Sequence, residues 1–210
     1  MDKREKLELL KKEMEADDLP LKGEANLVFG EGDFDCSIMF VGEAPGANEN
    51  EQKRPFVGRA GKLLDQLIAE IGWKRENVYI TNIVKRRPPE NRDPLPEEIE
   101  AYKPYLARQI EIINPKIIAT LGRFSMNYFL PLAKISRDHG KIFEITGRII
   151  FPLYHPAAAL RATAVLNDLR ADFKKLPNVI SGKIVSESIP IATPTQPKKN
   201  GPSAPQGKLF

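Results

Sequence analysis

The sequence predicts an α/β protein, a three-layer α/β/α sandwich around a short, mainly parallel four-stranded sheet. Four apolar segments of strand length follow one another along the chain, and segments with the periodicity of amphipathic helices separate them. Because parallel strands must be joined by a crossover, this alternation is typical of a parallel sheet with a helix layer on each face.

The predicted strands are short and rich in β-branched and other apolar residues. They cover residues 37–43, 77–84, 115–121 and 149–153, and a further extended segment over residues 26–34 ends in a glycine turn. Open α/β folds bind ligands outside the carboxyl ends of such strands. We therefore expect a functional site where these strands end.

The predicted helices carry apolar residues at steps of three and four, which place them on one helix face. They cover residues 2–16, 59–72, 96–113, 123–130 and 162–176. The first alternates charged residues with Leu7, Leu10 and Met14, and we expect it to dock on the rest of the domain. The third begins at Pro96, a residue suited to the first turn of a helix.

Composition favours one folded domain followed by a tail. Apolar residues make up 41% of the 210 positions, enough for a packed core over residues 1–180. Residues 181–210 are rich in Pro and Lys without periodicity, so we expect disorder there. The one cysteine, Cys36, excludes an internal disulfide and suits a reducing cytoplasm. No apolar run approaches a membrane span of about 20 residues.

The loop after the first predicted strand is the most distinctive segment. Residues 41–61 read VGEAPGANENEQKRPFVGRAG, with Gly, Pro, Glu and Asn between a buried strand and an amphipathic helix. The loop lacks the Gly-Lys-Ser/Thr ending of a P-loop and the glycine spacing of a dinucleotide-binding turn. Alone, it could be an ordinary strand-to-helix connection, so its interpretation depends on the segments downstream.

Four sequence segments together are informative about function, although no single one of them is. They are GEAPG with PFVGRAG in this loop, TNIVK at residues 81–85, RPPENRDP at 87–94 and YHPAAALR at 154–161. In this order and spacing they resemble the family 4 uracil-DNA glycosylases over roughly residues 26–176. The resemblance implies the uracil-DNA glycosylase-like fold and a monofunctional enzyme. Such an enzyme flips uracil out of DNA and hydrolyses its N-glycosidic bond, which initiates base excision repair.

The resemblance implies two catalytic residues and two residues that hold the base. Glu43 would stabilise positive charge on the sugar or orient the attacking water, and His155 would stabilise negative charge on the departing uracil. Phe56 would stack on the base. Asn82 would accept a hydrogen bond from uracil N3–H and donate one to O4, a pattern that cytosine reverses. His139 lacks such a context, and we expect it to be structural.

Further residues are expected around the base and along the DNA. Glu49 corresponds to a family position that crowds carbon 5 and excludes thymine, and the backbone amides of Ala44 and Gly46 would line the pocket. The net charge of +4 allows a polyanionic partner. Lys85, Arg87 and Arg161 would contact DNA phosphates. Leu160 would act as an apolar wedge beside the flipped base. Because the wedge is small, we expect single-stranded DNA to be favoured.

One departure from the family concerns its [4Fe–4S] cluster, which four cysteines hold. This chain has none at residues 17–21, and Arg86 and Tyr102 stand at the other two ligand positions. Because such a cluster needs thiolates, and Cys36 alone cannot supply them, we predict no cluster and no other metal. We expect packing around Tyr102 to take over the structural role.

The C-terminal residues resemble the short peptides by which bacterial repair proteins dock on the sliding clamp. Gln206 would reach a polar site, and Leu209 and Phe210 would fill an apolar pocket. The preceding segment, read as a coil, is long enough to act as a tether. A chance match to so short a pattern remains the alternative.

Two alternative functions remain open at this stage. The chain could be a lesion sensor that binds uracil or another deaminated base in DNA and cleaves poorly. It could also act on free nucleosides or nucleotides, although its basic loops favour polymeric DNA. For the leading interpretation we expect a monomer in the cytoplasm, associated with the nucleoid.

Overall fold

The computed structural model describes residues 1–184, so the predicted clamp peptide, Gln206 to Phe210, lies outside the described residues. The sheet is built from six strands: β1 (Glu31–Gly32), β2 (Ile38–Gly42), β3 (Tyr79–Asn82), β4 (Ile117–Leu121), β5 (Phe143–Ile145) and β6 (Arg148–Leu153). Their order across the sheet is β1-β3-β2-β4-β6-β5. The central four strands, β3, β2, β4 and β6, are parallel to one another, which confirms the predicted parallel sheet.

The sheet is larger than predicted, because an antiparallel strand is added at each edge. The two-residue strand β1 pairs with β3, and β5 pairs with β6. The turn between β5 and β6 consists of Thr146 and Gly147, at φ 48° and 76°. Positive φ at both central residues is the geometry of a tight β-hairpin, but Thr-Gly is a weaker sequence signal for it than Asn-Gly. The sequence therefore does not predict this edge strand.

Helices connect the strands and cover the sheet. They are α1 (Lys3–Ala16), α2 (Ala47–Gln52), α3 (Arg59–Glu70), α4 (Pro96–Ile113), α5 (Arg123–Phe129), α6 (Ile135–Asp138), α7 (Pro156–Ala159), α8 (Thr163–Phe173) and α9 (Leu176–Ile180). Single 3₁₀ turns lie at Arg75–Asn77 and Pro89–Asn91. Within residues 1–184, no helix combines the length and the apolar character needed to cross a bilayer.

Two apolar cores lie on opposite faces of the sheet, as a three-layer sandwich requires. Because strand side chains alternate, Met39 and Val41 of β2 face one core while Ile38 and Phe40 face the other. The first core is closed by α1, α4 and α5. The second is closed by α3, α8 and α9.

The N-terminal helix packs on α4, as its apolar spacing predicts. Leu7, Leu10 and Met14 are buried in the first core. A capping box between Asp2 and Glu5 begins the helix. Its end is tied to α4 by a bidentate pair in which Arg108 donates to Glu13.

Candidate active site

The carboxyl ends of β2, β3 and β6 and the segments that follow them line a pocket of about 360 Å³. All seven predicted base-pocket residues line it: Glu43, Ala44, Gly46, Glu49, Phe56, Asn82 and His155. Six further lining residues were not assigned in the sequence analysis: Pro45, Ala60, Pro88, Asn91, Arg92 and Ala157. The strand ends bring these residues together from four separate segments of the chain.

Asn82 is the last residue of β3, and its side chain is buried at the pocket. Its Oδ1 atom has no hydrogen-bond partner within residues 1–184. Buried polar atoms nearly always have partners, so an unpaired acceptor at a pocket wall suits a ligand that donates a hydrogen bond. Glycine is required opposite, because a Cβ on Gly42 would lie 2.4 Å from this oxygen and 2.5 Å from Phe56 Cζ.

Phe56 forms a buried aromatic wall in an unusual backbone conformation. Its φ is 49°, in the left-handed region that few aromatic residues occupy, which costs about 1–3 kcal/mol. Gly61 permits this turn, since a Cβ there would lie 1.9 Å from the Phe56 carbonyl oxygen. The Phe56 ring lies 5.8 Å from the His155 ring, centroid to centroid. Phe56 and Asn82 are thus held beside each other before any base arrives.

Two charged side chains stabilise this turn. Glu49 Oε1 accepts hydrogen bonds from the backbone amides of Val57 and Gly58 at 2.9 and 2.7 Å. Arg75 donates to the carbonyl oxygens of Pro55, at 2.6 Å, and Phe56, at 3.2 Å. The carboxylate predicted only to crowd carbon 5 therefore also anchors the aromatic wall.

Arg75 is a supporting residue that sequence reasoning missed. Besides the loop carbonyls, it contacts Asp65 at 2.6 Å and Glu31 at 2.7 Å, and Glu31 also pairs with Arg54. Burial alone would raise the pKa of Glu31, but four hydrogen bonds from Arg54 and Arg75 outweigh it and lower that pKa. These partners lie 10 and 44 residues from Arg75 along the chain, so no local pattern could have indicated the network.

Glu43 follows β2 directly and is partly buried at the pocket. Burial raises the pKa of this carboxyl to about 7, nearby Asp93 raises it further, and Arg123 opposes the change. Asp93 and Arg123 form an ion pair of 2.6 Å with each other. Near neutral pH, Glu43 is therefore present in both its protonated and its ionised form.

His155 follows β6 and begins the short helix α7. Its Nδ1 accepts a hydrogen bond from the Ala157 amide at 3.1 Å, so the neutral ring carries its proton on Nε2. Burial lowers the pKa of His155 to about 4, although the negative charge of Glu49 acts to raise it. Gly122, at φ 91°, lets the ring approach the end of β4, because a Cβ there would lie 3.0 Å from His155 Cβ. The site thus contains a neutral hydrogen-bond donor.

The four predicted DNA contacts do not share one environment. Arg161 is exposed and lines the rim of the pocket, and Leu160 beside it is 43% exposed. Arg87 is partly exposed and donates to Asn91 Oδ1 at 2.7 Å. These three positions remain compatible with a DNA-binding rim. Lys85 does not.

Lys85 is fully buried, which contradicts its predicted contact with phosphate. The chain bends at Ile83 and Val84 after β3 ends, and the side chain of Lys85 then lies beneath α4. Its Nζ donates to Thr81 Oγ1 at 2.6 Å and to Gln109 on α4. Burial lowers the pKa of this amine well below its usual value.

Comparison with known proteins gives the family of this chain. The family model of the uracil DNA glycosylase superfamily matches residues 29–176. The type-4 uracil-DNA glycosylase of Sulfurisphaera tokodaii is 52% identical over 163 residues, which cover 72% of this chain and 73% of that protein. The type-4 enzyme of Thermotoga maritima is 47% identical over 148 residues, 69% of this chain and 76% of that protein. This chain belongs to the family 4 uracil-DNA glycosylases.

The positions that carry cluster cysteines in family 4 lie together in this chain. Tyr102 is buried and donates from its hydroxyl to the Pro20 carbonyl oxygen at 2.6 Å, and Tyr105 contacts Asp17. Arg86 lies close enough to lower the pKa of Tyr102, although burial raises that pKa overall. A phenol and a guanidinium are not ligands for a [4Fe–4S] cluster, which requires thiolates. The residues present therefore do not fit that group.

The remaining thiol lies elsewhere in the fold. Cys36 is buried beside Tyr79, and burial raises the pKa of its thiol to about 11. A thiol that stays protonated is a poor nucleophile and a poor metal ligand. Cys36 is best described as a small apolar residue of the first core.

Proposed function

We propose that this protein is a monofunctional uracil-DNA glycosylase that flips uracil out of DNA and hydrolyses its N-glycosidic bond. The unpaired Asn82 Oδ1 beside the Phe56 ring is the observation that carries this proposal. Uracil has a hydrogen-bond donor at N3 and an acceptor at O4. Cytosine has the reverse, an acceptor at N3 and a donor at its 4-amino group. A fixed Asn amide therefore pairs with uracil and leaves cytosine with two mismatched groups, which costs several kcal/mol.

Bond cleavage requires charge stabilisation on both fragments. As the bond to the sugar breaks, negative charge develops on the uracil, and the His155 Nε2–H donates a hydrogen bond to O2. Positive charge develops on the sugar, and the Glu43 carboxylate stabilises it or orients the attacking water. Water then adds to the sugar carbon, its proton leaves through the base or solvent, and free uracil and an abasic site result.

The alternative function, a lesion sensor that binds uracil in DNA but cleaves it poorly, is less favoured by this site. A protein that only binds uracil needs the aromatic wall and the Asn amide, but it has no use for a carboxyl group whose pKa lies near 7. Retention of Glu43 and His155 beside Asn82 favours catalysis. The exposed Arg161 at the rim likewise favours DNA over free nucleosides.

The first test of this proposal is Asn82→Ala. We expect uracil release from a single-stranded oligonucleotide to fall by about 10²-fold or more, because the base loses the groups that identify it. Asn77→Ala is the matched control, since Asn77 is exposed and outside the pocket, and it should retain full activity. Full activity of Asn82→Ala would contradict the proposal. The same assay on a U:G duplex tests strand preference, and faster release from the duplex would overturn the expected preference.

The protein is also proposed to work without a cluster. The support is the packing described above, in which the Tyr102 hydroxyl ties α4 to Pro20 and a guanidinium stands at the third cysteine position. Side chains then hold the segment that thiolates hold elsewhere in the family. Stoichiometric iron and acid-labile sulfide in the purified protein would contradict this.

Docking on a sliding clamp is a separate proposal that the residues outside the described part would carry. Deleting Gln206 to Phe210 should abolish co-purification with the clamp, because Leu209 and Phe210 supply the apolar contact. Uracil release from a free oligonucleotide should stay unchanged, since the deletion removes none of the pocket residues named above. Undiminished clamp binding after the deletion would remove the proposal. Location at the nucleoid would follow from DNA and clamp binding together.

A further inference from the structure

A second pocket, of about 390 Å³, lies beside the uracil pocket and has no role in the proposed reaction. The two pockets share helix α2, which contributes Glu49 to the first and Asn50 to the second. The end of β3 contributes Asn82 to the first pocket, and the segment that follows it contributes Arg86 to the second. The remaining wall comes from α1 and residues 22–27.

The charges around this second pocket are unbalanced. Its walls carry four cations, Lys11, Lys22, Lys53 and Arg86, against two carboxylates, Glu15 and Glu24, which leaves a formal charge of +2. The three lysines and both glutamates are exposed, so water screens them. Arg86 differs from them because only 4% of it is exposed.

Arg86 is a buried cation that has no counter-ion among the residues that the structure describes. Its Nε has no hydrogen-bond partner within residues 1–184, and Nη1 reaches only the Ala25 carbonyl oxygen, at the long distance of 3.5 Å. No carboxylate of the described chain lies within 4.0 Å of it. A guanidinium stays charged at any physiological pH, so this burial is costly until an anion arrives.

We propose that this second pocket binds a phosphate group, with Arg86 as its principal ligand and the lysines at its mouth. The planar fork of an arginine matches two phosphate oxygens at once, and the +2 charge of the walls attracts an anion. The phosphate can come from a DNA strand that crosses the uracil pocket or from the free ion. The DNA source rests on the proposed function, whereas binding of the free ion does not.

The test measures thermal unfolding of the full chain in sodium phosphate and in sodium chloride of equal ionic strength. We expect phosphate to raise the Tm of the wild type above its value in chloride. Arg86→Gln should bind phosphate about tenfold more weakly or worse, because one charge-assisted contact is lost. In chloride its Tm should not fall, since the substitution removes an unpaired buried charge. Lys62→Ala, an exposed change outside the pocket, should behave as the wild type.

A second variant, Glu24→Gln, keeps Arg86 and tests whether Glu24 pairs with it in solution. Under the proposal, Glu24→Gln raises the wall charge from +2 to +3 and tightens phosphate binding. If Glu24 pairs with Arg86 in solution, the same variant lowers the Tm in chloride and leaves phosphate binding unchanged. That second result would overturn the proposal.

The source of the phosphate is settled by the salt dependence of binding to a single-stranded oligonucleotide without uracil. If a DNA phosphate occupies the pocket, Arg86→Gln reduces the slope of log K against log salt by about 0.7, the value for one contact to a single strand. If the slope is unchanged while the phosphate effect on Tm is lost, the ligand is the free ion. The proposal fails if neither inorganic phosphate nor the oligonucleotide shows an effect that depends on Arg86. Phosphate stabilisation without uracil release would leave this site standing while refuting the proposed function.

Discussion

Replacing Glu43 with Gln should lower uracil release by about 10²–10⁴-fold and, at the same time, make the folded protein more stable above pH 7. The loss follows because the amide cannot carry the negative charge that faces the developing positive charge on the sugar. The gain follows because burial disfavours the ionised carboxyl, which the amide replaces with a neutral group of the same shape.

The pH dependence of both effects follows from the pKa of about 7. In the folded protein Glu43 holds its proton more tightly than in the unfolded chain, whose value is near 4.5. Stability from this group is therefore complete below pH 4.5 and is lost as the pH rises through 7. We expect the Gln variant to gain about 1–2 kcal/mol at pH 8 after allowance for solvent screening, and almost nothing at pH 4.5.

The rate of uracil release should rise with pH, whereas the stability that Glu43 contributes falls with pH. For the wild type, kcat/KM should rise with pH and level off above 7, with a value at pH 6 about tenfold below the plateau. Denaturant unfolding at several pH values and initial rates of uracil release measure the two quantities. Glu51→Gln is the control, because Glu51 is exposed on α2 outside the pocket. A variant that is inactive but less stable at pH 8 would show that Glu43 is structural.

Replacing His155 with Ala should lower the kcat of uracil release by about 10²–10³-fold with little change in KM. The neutral ring donates to a charge that exists only as the bond breaks, so the contact is stronger in the transition state than in the bound substrate. Because burial lowers the pKa of this histidine to about 4, the wild-type profile should show no ionisation between pH 5 and 6.5 from His155.

The protein supplies its own control for this change. His139 is the other of its two histidines, and its Nδ1 lies 2.6 Å from Asp172 Oδ2, away from the pocket. His139→Gln should retain kcat even if it lowers the Tm. A His155→Ala variant that raises KM and leaves kcat intact would show that the ring only binds the base.

The parallel sheet and the pocket residues could be predicted because their signals are local. The strand that contains Phe40 is apolar throughout, and the helix that contains Leu64 has a regular stripe. Asn82 and His155 each follow such a strand, so their meeting at one edge is a property of parallel sheets. The resemblance to family 4 added the assignment of roles.

The features that were missed depend on contacts distant in sequence. The short helix α2 has no buried residue to give it an apolar stripe, so its sequence reads as loop. Arg75 is recognisable only from the fold, because its acidic partners and the loop carbonyls come from separate segments. Lys85 was expected to contact phosphate because it begins a run of three basic residues, and only its contacts with Thr81 and with Gln109 on α4 show that it is buried.

The glycines around Phe56 limit what this site could become in evolution. A side chain at Gly42 would collide with Asn82 and Phe56, and one at Gly61 would collide with the Phe56 carbonyl, whichever base the pocket receives. Asn82, which we propose to contact the base, is free of that restriction, whereas exchanging Glu49 would remove the hydrogen bonds that hold the Phe56 turn. New base specificities could therefore arise by exchanging side chains around an unchanged backbone, with the two glycines as the part that mutation leaves alone.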